Sequence, residues 1–253
     1  MAVSIDQLVH YCDQLLEAGR FRDYCPNGLQ VEGRRQVKRV VTGVTACQAL
    51  LDEALACEAD LVLVHHGYFW KGEPAPITGI KRKRLQTLLT ADLNLMAYHL
   101  PLDAHAELGN NAQLAKRLGI SLEGPLEPGQ DPAIGNIGRL PESMTLTEFG
   151  KRIEQVLGRV PQMVAGGDHR VQRVALCTGA AERMIDLALE QGADLYLSGE
   201  ISEPVVHTAR EAGIHYCGAG HHATERYGVQ ALGEHLAEQF GLEHRFIDID
   251  NPV

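Results

Sequence analysis

Thirty residues, VKRVVTGVTACQALLDEALACEADLVLVHH (37–66), align without a gap on VQRVALCTGAAERMIDLALEQGADLYLSGE (171–200), every pair lying 134 positions apart. Identities include Val37 with Val171, Arg39 with Arg173, Asp52 with Asp186, and the run Ala59-Asp60-Leu61 on Ala193-Asp194-Leu195. Such a repeat constrains the fold strongly, because both copies must take the same local form. Each reads as strand, helix, strand: β-branched residues at 37–44 and 171–177, helical periodicity at 46–57 and 180–191, then LVLV and LYLS. A crossover of this kind is right-handed and makes a parallel strand pair. The expected fold class is therefore α/β, with two related α/β lobes from an internal duplication and mixed or mostly parallel sheets.

The likeness continues weakly outward. Helical stretches precede the units at 4–18 and 145–157, and the strands LNLMAYH (93–99) and IHYCGAG (214–220) follow them. In SLEGPLEPGQDPAIGN (121–136), Gly124, Pro125, Pro128, Gly129 and Pro132 break both periodicities. The join is therefore placed near residue 126, giving lobes 1–126 and 127–253. The sequence leaves open whether the last helix and the strand RFIDID pack back onto the first lobe.

In open α/β sheets ligands bind at the carboxyl ends of the strands, and these ends are polar here. LVLV runs into His65-His66, LMAYH into His99 and Asp103, LYLS into Gly199-Glu200, and the last repeat strand into Gly220-His221-His222. His221 and Glu225 stand four apart where a helix should begin, on one face. Imidazole and carboxylate groups on rigid strand ends suit a divalent ion such as zinc, iron or manganese. Adjacent His65 and His66 can diverge toward two ions, and a carboxylate can bridge them. Singly, each feature has an ordinary explanation: a structural histidine, a helical surface pair, or a helix cap by Asp103. Their conjunction at corresponding strand ends favours a metal site there, between the lobes.

The motifs PNGLQVEG (26–33), DLVLVHHG (60–67), AYHLPLD (97–103), YLSGE (196–200) and GHHATERYG (220–228), in this order, resemble the GTP cyclohydrolase I type 2 homologues, also called the NGG-interacting-factor-like proteins. The resemblance spans the chain in its short form, without the domain some relatives insert between the halves. It implies that His65, His66, Asp103, His221 and Glu225 bind two divalent metal ions, with Glu225 contacting both, and that the chains assemble as a homohexameric ring. The reaction it suggests is metal-dependent hydrolysis that opens the imidazole ring of a guanine nucleotide. The alternative is a non-catalytic metal-binding ring scaffold or regulatory partner, linked to DNA metabolism.

Other polar residues carry weaker signals. His99 is a candidate catalytic residue, placed to bind a metal-bound water or to orient Asp103, with a buried strand histidine as the alternative, and Glu200, aligned with His66, is a candidate general base. His105 is placed in the same neighbourhood and His222 facing solvent. Asn27, Gly28 and Gln30 fit a turn into a strand, and Trp70 fits loop packing better than stacking on a nucleobase. Lys81, Arg82, Lys83 and Arg84 read as a solvated helix start that could meet a substrate phosphate.

Composition narrows the partners. A formal net charge of −10 argues against a general nucleic-acid surface, leaving a small-molecule substrate as the expected ligand. No apolar run approaches the ~20 residues a membrane span needs, and MAVSIDQLVHYCDQLL lacks the features of a signal peptide. The six cysteines show no CxxC and no regular spacing, as expected of reduced thiols in the cytoplasm. No GxxxxGK[ST] loop is present to hold a nucleotide.

Overall fold

The computed structural model of the chain describes residues 2–253. By internal contacts the chain divides into two units, one of residues up to Leu102 with Gly228–Asp250, the other of Asp103–Tyr227 with Asn251–Val253.

In the first unit a five-stranded sheet runs in the order Glu243–Phe246, Arg39–Thr45, Leu61–His66, Asn94–Ala97, Gly28–Val31. The first four strands are parallel and Gly28–Val31 is antiparallel to its neighbour. Val41, Val62, Val64 and Leu95 form one core with Leu50, Leu51 and Ala54 of the helix Gln48–Ala56 and with Leu85 and Leu88 of the helix Gly79–Thr90. That second helix is strongly cationic in its first half, so its hold on the sheet comes from those leucines, each worth roughly 2 kcal/mol when buried. The helix Ile5–Leu15 starts at a reciprocal cap in which Ser4 and Gln7 bond each other's backbone N–H.

The second unit holds a six-stranded sheet in the order Ser121–Pro125, Asn136–Met144, Val171–Cys177, Leu195–Ser198, His215–Gly218, Gln162–Val164. The three strands from Val171–Cys177 to His215–Gly218 are parallel and the flanking ones antiparallel. Separate cores form around Phe149, Ile153 and Leu197 and around Tyr196, Tyr216 and Ile185. The helix Leu146–Leu157 begins at a second reciprocal cap, Thr145 with Glu148.

The same local contacts occur in both units. Val40 pairs with Leu61 in one sheet, and Val174 with Leu195 in the other. The carboxylate of Asp60 accepts the N–H groups of Lys38 and Arg39 at 2.8 and 3.0 Å, and that of Asp194 accepts those of Gln172 and Arg173 at 2.9 and 2.7 Å.

Three expectations need adjustment. Residues 121–125, read as the start of a linker, form an edge strand, where Pro125 interrupts no central ladder. The helix expected over 180–191 is shorter, a 3₁₀ turn at Glu182–Met184 followed by Ile185–Glu190. The division lies at 102/103 and 227/228, where the sequence suggested one join near 126. The reason is that Leu114, Ala115 and Leu118 pack into the second unit's core, while Glu243–Phe246 pairs beside Arg39–Thr45. No helix among the described residues is long and apolar enough to cross a membrane.

Candidate metal centre

Three imidazoles gather in the first unit. His65 and His66 end the strand Leu61–His66, and His99 follows Asn94–Ala97 by two residues. One ring nitrogen from each lies within 4.8 Å of the others. Each ring is also held from behind through Nδ1. His65 Nδ1 is 3.0 Å from the Tyr98 carbonyl, His66 Nδ1 is 3.3 Å from Thr45 Oγ1, and His99 Nδ1 is 2.7 Å from Asp23 Oδ1. A carbonyl only accepts, so the proton of neutral His65 sits on Nδ1 and the lone pair on Nε2. Fixing the tautomer through an outer partner is how proteins present a metal-binding imidazole.

Asp23 was not legible as a site residue in the sequence. Its side chain is 3% exposed, and besides His99 it accepts the N–H of Tyr24, the N–H of Leu100 and Asn27 Nδ2 at 2.6, 2.9 and 2.9 Å. Burial pushes its pKa up, but the bonds from His99 and Asn27 outweigh this and hold it below the usual range. Asn27 also accepts the backbone N–H of His99 at 2.8 Å. The PNGLQ segment thus fixes the loops that carry the histidines: Gln30 Oε1 accepts the N–H of Tyr68 at 2.6 Å, and a Cβ on Gly67 would fall 2.2 Å from that same oxygen. Cys25 joins Asp23 and His99 in a second possible donor group, yet burial and the Asp23 carboxylate push its thiol up to about 12, which disfavours the thiolate a metal requires.

The second unit carries the carboxylates and a fourth imidazole. His221 begins the short helix His221–Thr224 after Gly220. Its Nδ1 lies 2.7 Å from Glu200 Oε1 and its Nε2 3.2 Å from Glu225 Oε2, so the latter two atoms are close enough to share one cation. Burial lowers the pKa of His221, but Glu225 and Glu200 together raise it to about 9. Glu225 is 3% exposed, and Gly179 makes room for it: a Cβ there would stand 2.1 Å from Glu225 Oε1, and the backbone has φ +70°. Asp103 is also buried; its Oδ1 accepts Asn110 Nδ2 at 2.9 Å and Thr178 Oγ1 at 3.3 Å, while its carbonyl accepts Asn111 Nδ2 at 3.1 Å. Asp103 and Glu225 both act on the Cys177 thiol, adding to the burial that already raises its pKa.

The structure thus brings His65 and His66 together with His99, and His221 together with Glu225 and Glu200. His99 bonds Asp23 by its ring. Glu200 bonds His221. His105 Nδ1 accepts the N–H of Leu108 at 3.0 Å and serves a turn. His222, expected to face solvent, is 8% exposed, and its N–H bonds the Val253 carbonyl at 2.9 Å. Trp70 packs edge-on to His99 with ring centroids 5.0 Å apart, its N–H donating to the Gly67 carbonyl at 3.1 Å.

Known proteins share this fold and sequence. The profile of Duf34/NIF3 (NGG1p interacting factor 3) matches residues 3–252. A Pseudomonas aeruginosa protein named GTP cyclohydrolase 1 type 2 homolog is 56% identical over 253 residues, covering 100% of both chains. A Vibrio cholerae protein of the same name is 53% identical over 249 residues, 98% of each. The solved structure of protein ybgI, described as of unknown function, has a TM-score of 0.95 at 50% identity, covering 99% of this chain and 100% of that one. A crystal structure of a Thermus thermophilus protein gives 0.90 at 39% identity, covering 99% and 100%. The chain belongs to the Duf34/NIF3 family.

Proposed function

We propose that this chain binds two divalent metal ions through His65, His66, Asp103, His221 and Glu225 and acts as a metal-dependent hydrolase. The observation that carries the reading is the backing of every imidazole involved: Tyr98, Thr45 and Glu200 each hold an Nδ1 atom of His65, His66 and His221. Such outer partners have little reason to converge on histidines that merely fill space. The donor set also fits. Imidazole nitrogen beside carboxylate oxygen suits zinc, iron or manganese better than magnesium or calcium.

Divalent ions held in this way lower the pKa of water and offset negative charge that develops during hydrolysis. The chain's own groups do the rest. Asp23 fixes the proton of His99 on Nδ1, which leaves Nε2, near the other two rings, to take a proton from a reacting group. Glu200, engaged by His221, serves as a positioning residue. Asn110 and Thr178 restrain Asp103 to one carboxylate orientation.

The name GTP cyclohydrolase 1 type 2 homolog, carried by the relatives, supports GTP as the substrate to try first, and the reaction we propose for it is hydrolytic opening of the imidazole ring with loss of formate. The test is an assay of formate release from GTP beside a panel of phosphoesters, with wild type and His65→Ala loaded with the same metal. Turnover of one substrate by the wild type and its loss in the variant are expected. Equal rates for the two proteins would sink the hydrolase reading and leave a metal-binding scaffold. The hexameric ring is proposed with it, and light scattering on the eluted protein should give six chains rather than one.

A further inference from the structure

Beside His66 the first unit holds a cleft of about 290 Å³, at the lower end of the size range for small-molecule sites. Thr45, Trp70 and Ile80 form parts of its wall, and Lys81 and Arg84 project from the helix Gly79–Thr90, three residues apart and so on one face. Lys81 is held by Glu73 and lies over the Phe69 ring, 5.3 Å from its centroid. Arg84 differs. Its Nε is buried and makes no hydrogen bond to any described residue. A buried guanidinium N–H without an acceptor is costly, because its desolvation goes uncompensated.

We propose that this cleft binds a small phosphorylated molecule, with the phosphate on Arg84 and Lys81 and a flat or apolar portion against Trp70. A guanidinium donates to two phosphate oxygens at once, and an ammonium adds a point charge. Trp70 offers a fixed wall because its ring N–H is tied to the Gly67 carbonyl. Glu73 competes with the phosphate for Lys81. The volume suits a single-ring phosphate rather than a whole nucleoside triphosphate. His66 lines the cleft, so the rest of the ligand would lie against that histidine; only that last placement depends on the proposed metal function.

Trp70 is the only tryptophan in the chain, so its fluorescence reports on this cleft alone. The experiment titrates EDTA-treated protein with phenyl phosphate and, in parallel, with phenol. Working without metal separates this result from the fate of the metal reading. A saturable fluorescence change with phenyl phosphate is expected, with phenol at least tenfold weaker. Arg84→Gln should weaken phenyl phosphate binding by about tenfold or more. Glu73→Gln should tighten it by about threefold, a gain that misfolding cannot imitate. No saturable change up to about 10 mM, equal binding of phenol, or unaltered affinity in both variants would overturn the proposal.

Discussion

The carboxylate of Asp23 lies 2.7 Å from Nδ1 of His99, so an acidic residue in an irregular segment sets the tautomer of a histidine at the end of a central strand. Asp23→Asn keeps the shape but loses the charge and one acceptor. The variant should lose about 1–3 kcal/mol of stability, because buried N–H groups that now share two oxygens would share one. Its affinity for metal should fall by about tenfold or more. Thermal unfolding and metal titration check both, and normal values in both would remove Asp23 from the site.

Gly179 and Gly192 both have left-handed backbones, with φ +70° and +64°, but they differ in surroundings. A Cβ on Gly192 meets nothing within 4 Å, whereas one on Gly179 collides with the Glu225 carboxylate. Gly192→Ala should therefore cost only the backbone strain, roughly 1–2 kcal/mol, with metal uptake intact. Gly179→Ala should cost more and displace Glu225, lowering uptake to one ion per chain or fewer. Equal metal content in the two variants would show that Glu225 holds no metal.

His215 is 1% exposed, and burial lowers its pKa against the opposing pull of its hydrogen bond to the His169 carbonyl; the His169 ring stacks on it at 3.9 Å. Its Nδ1 accepts the Gly166 N–H at 3.1 Å, and Nε2 donates to the His169 carbonyl at 2.9 Å, an arrangement that only the neutral ring can make. The unfolded chain takes up the proton first, at a pKa of about 6.5, so stability is full above that pH and falls as pH drops below it. His215→Asn should flatten this fall, since Asn94 in the first unit plays the matching part, accepting from Gly33 and donating to the Arg34 carbonyl. Melting temperatures recorded from pH 7.5 to 5 test this; parallel curves for the two proteins would refute it.

The parallel core of each sheet was legible because Asp60 and Asp194 recur with the same flanking strands, and those aspartates tie each sheet together through two backbone N–H groups. The strand-end positions of His65, His66, His99 and His221 followed from the same periodicity. Other features left no pattern to read. Residues 121–125 looked like linker because Gly124 and Pro125 are poor strand formers, and only pairing with Asn136–Met144 makes them a strand. Nothing in the sequence marks Asp23, because its partner His99 stands 76 residues away. Asn110 and Asn111 resembled an ordinary helix start, although both are fully buried and hold Asp103.

Metal content measured by elemental analysis of protein purified without added metal and then saturated tests the central claim most directly, with His65→Ala and His221→Ala alongside. Two zinc, iron or manganese ions per chain are expected for the wild type, with a clear loss in each variant. Substantially less than one ion per chain at saturation, or unchanged content in both variants, would contradict it.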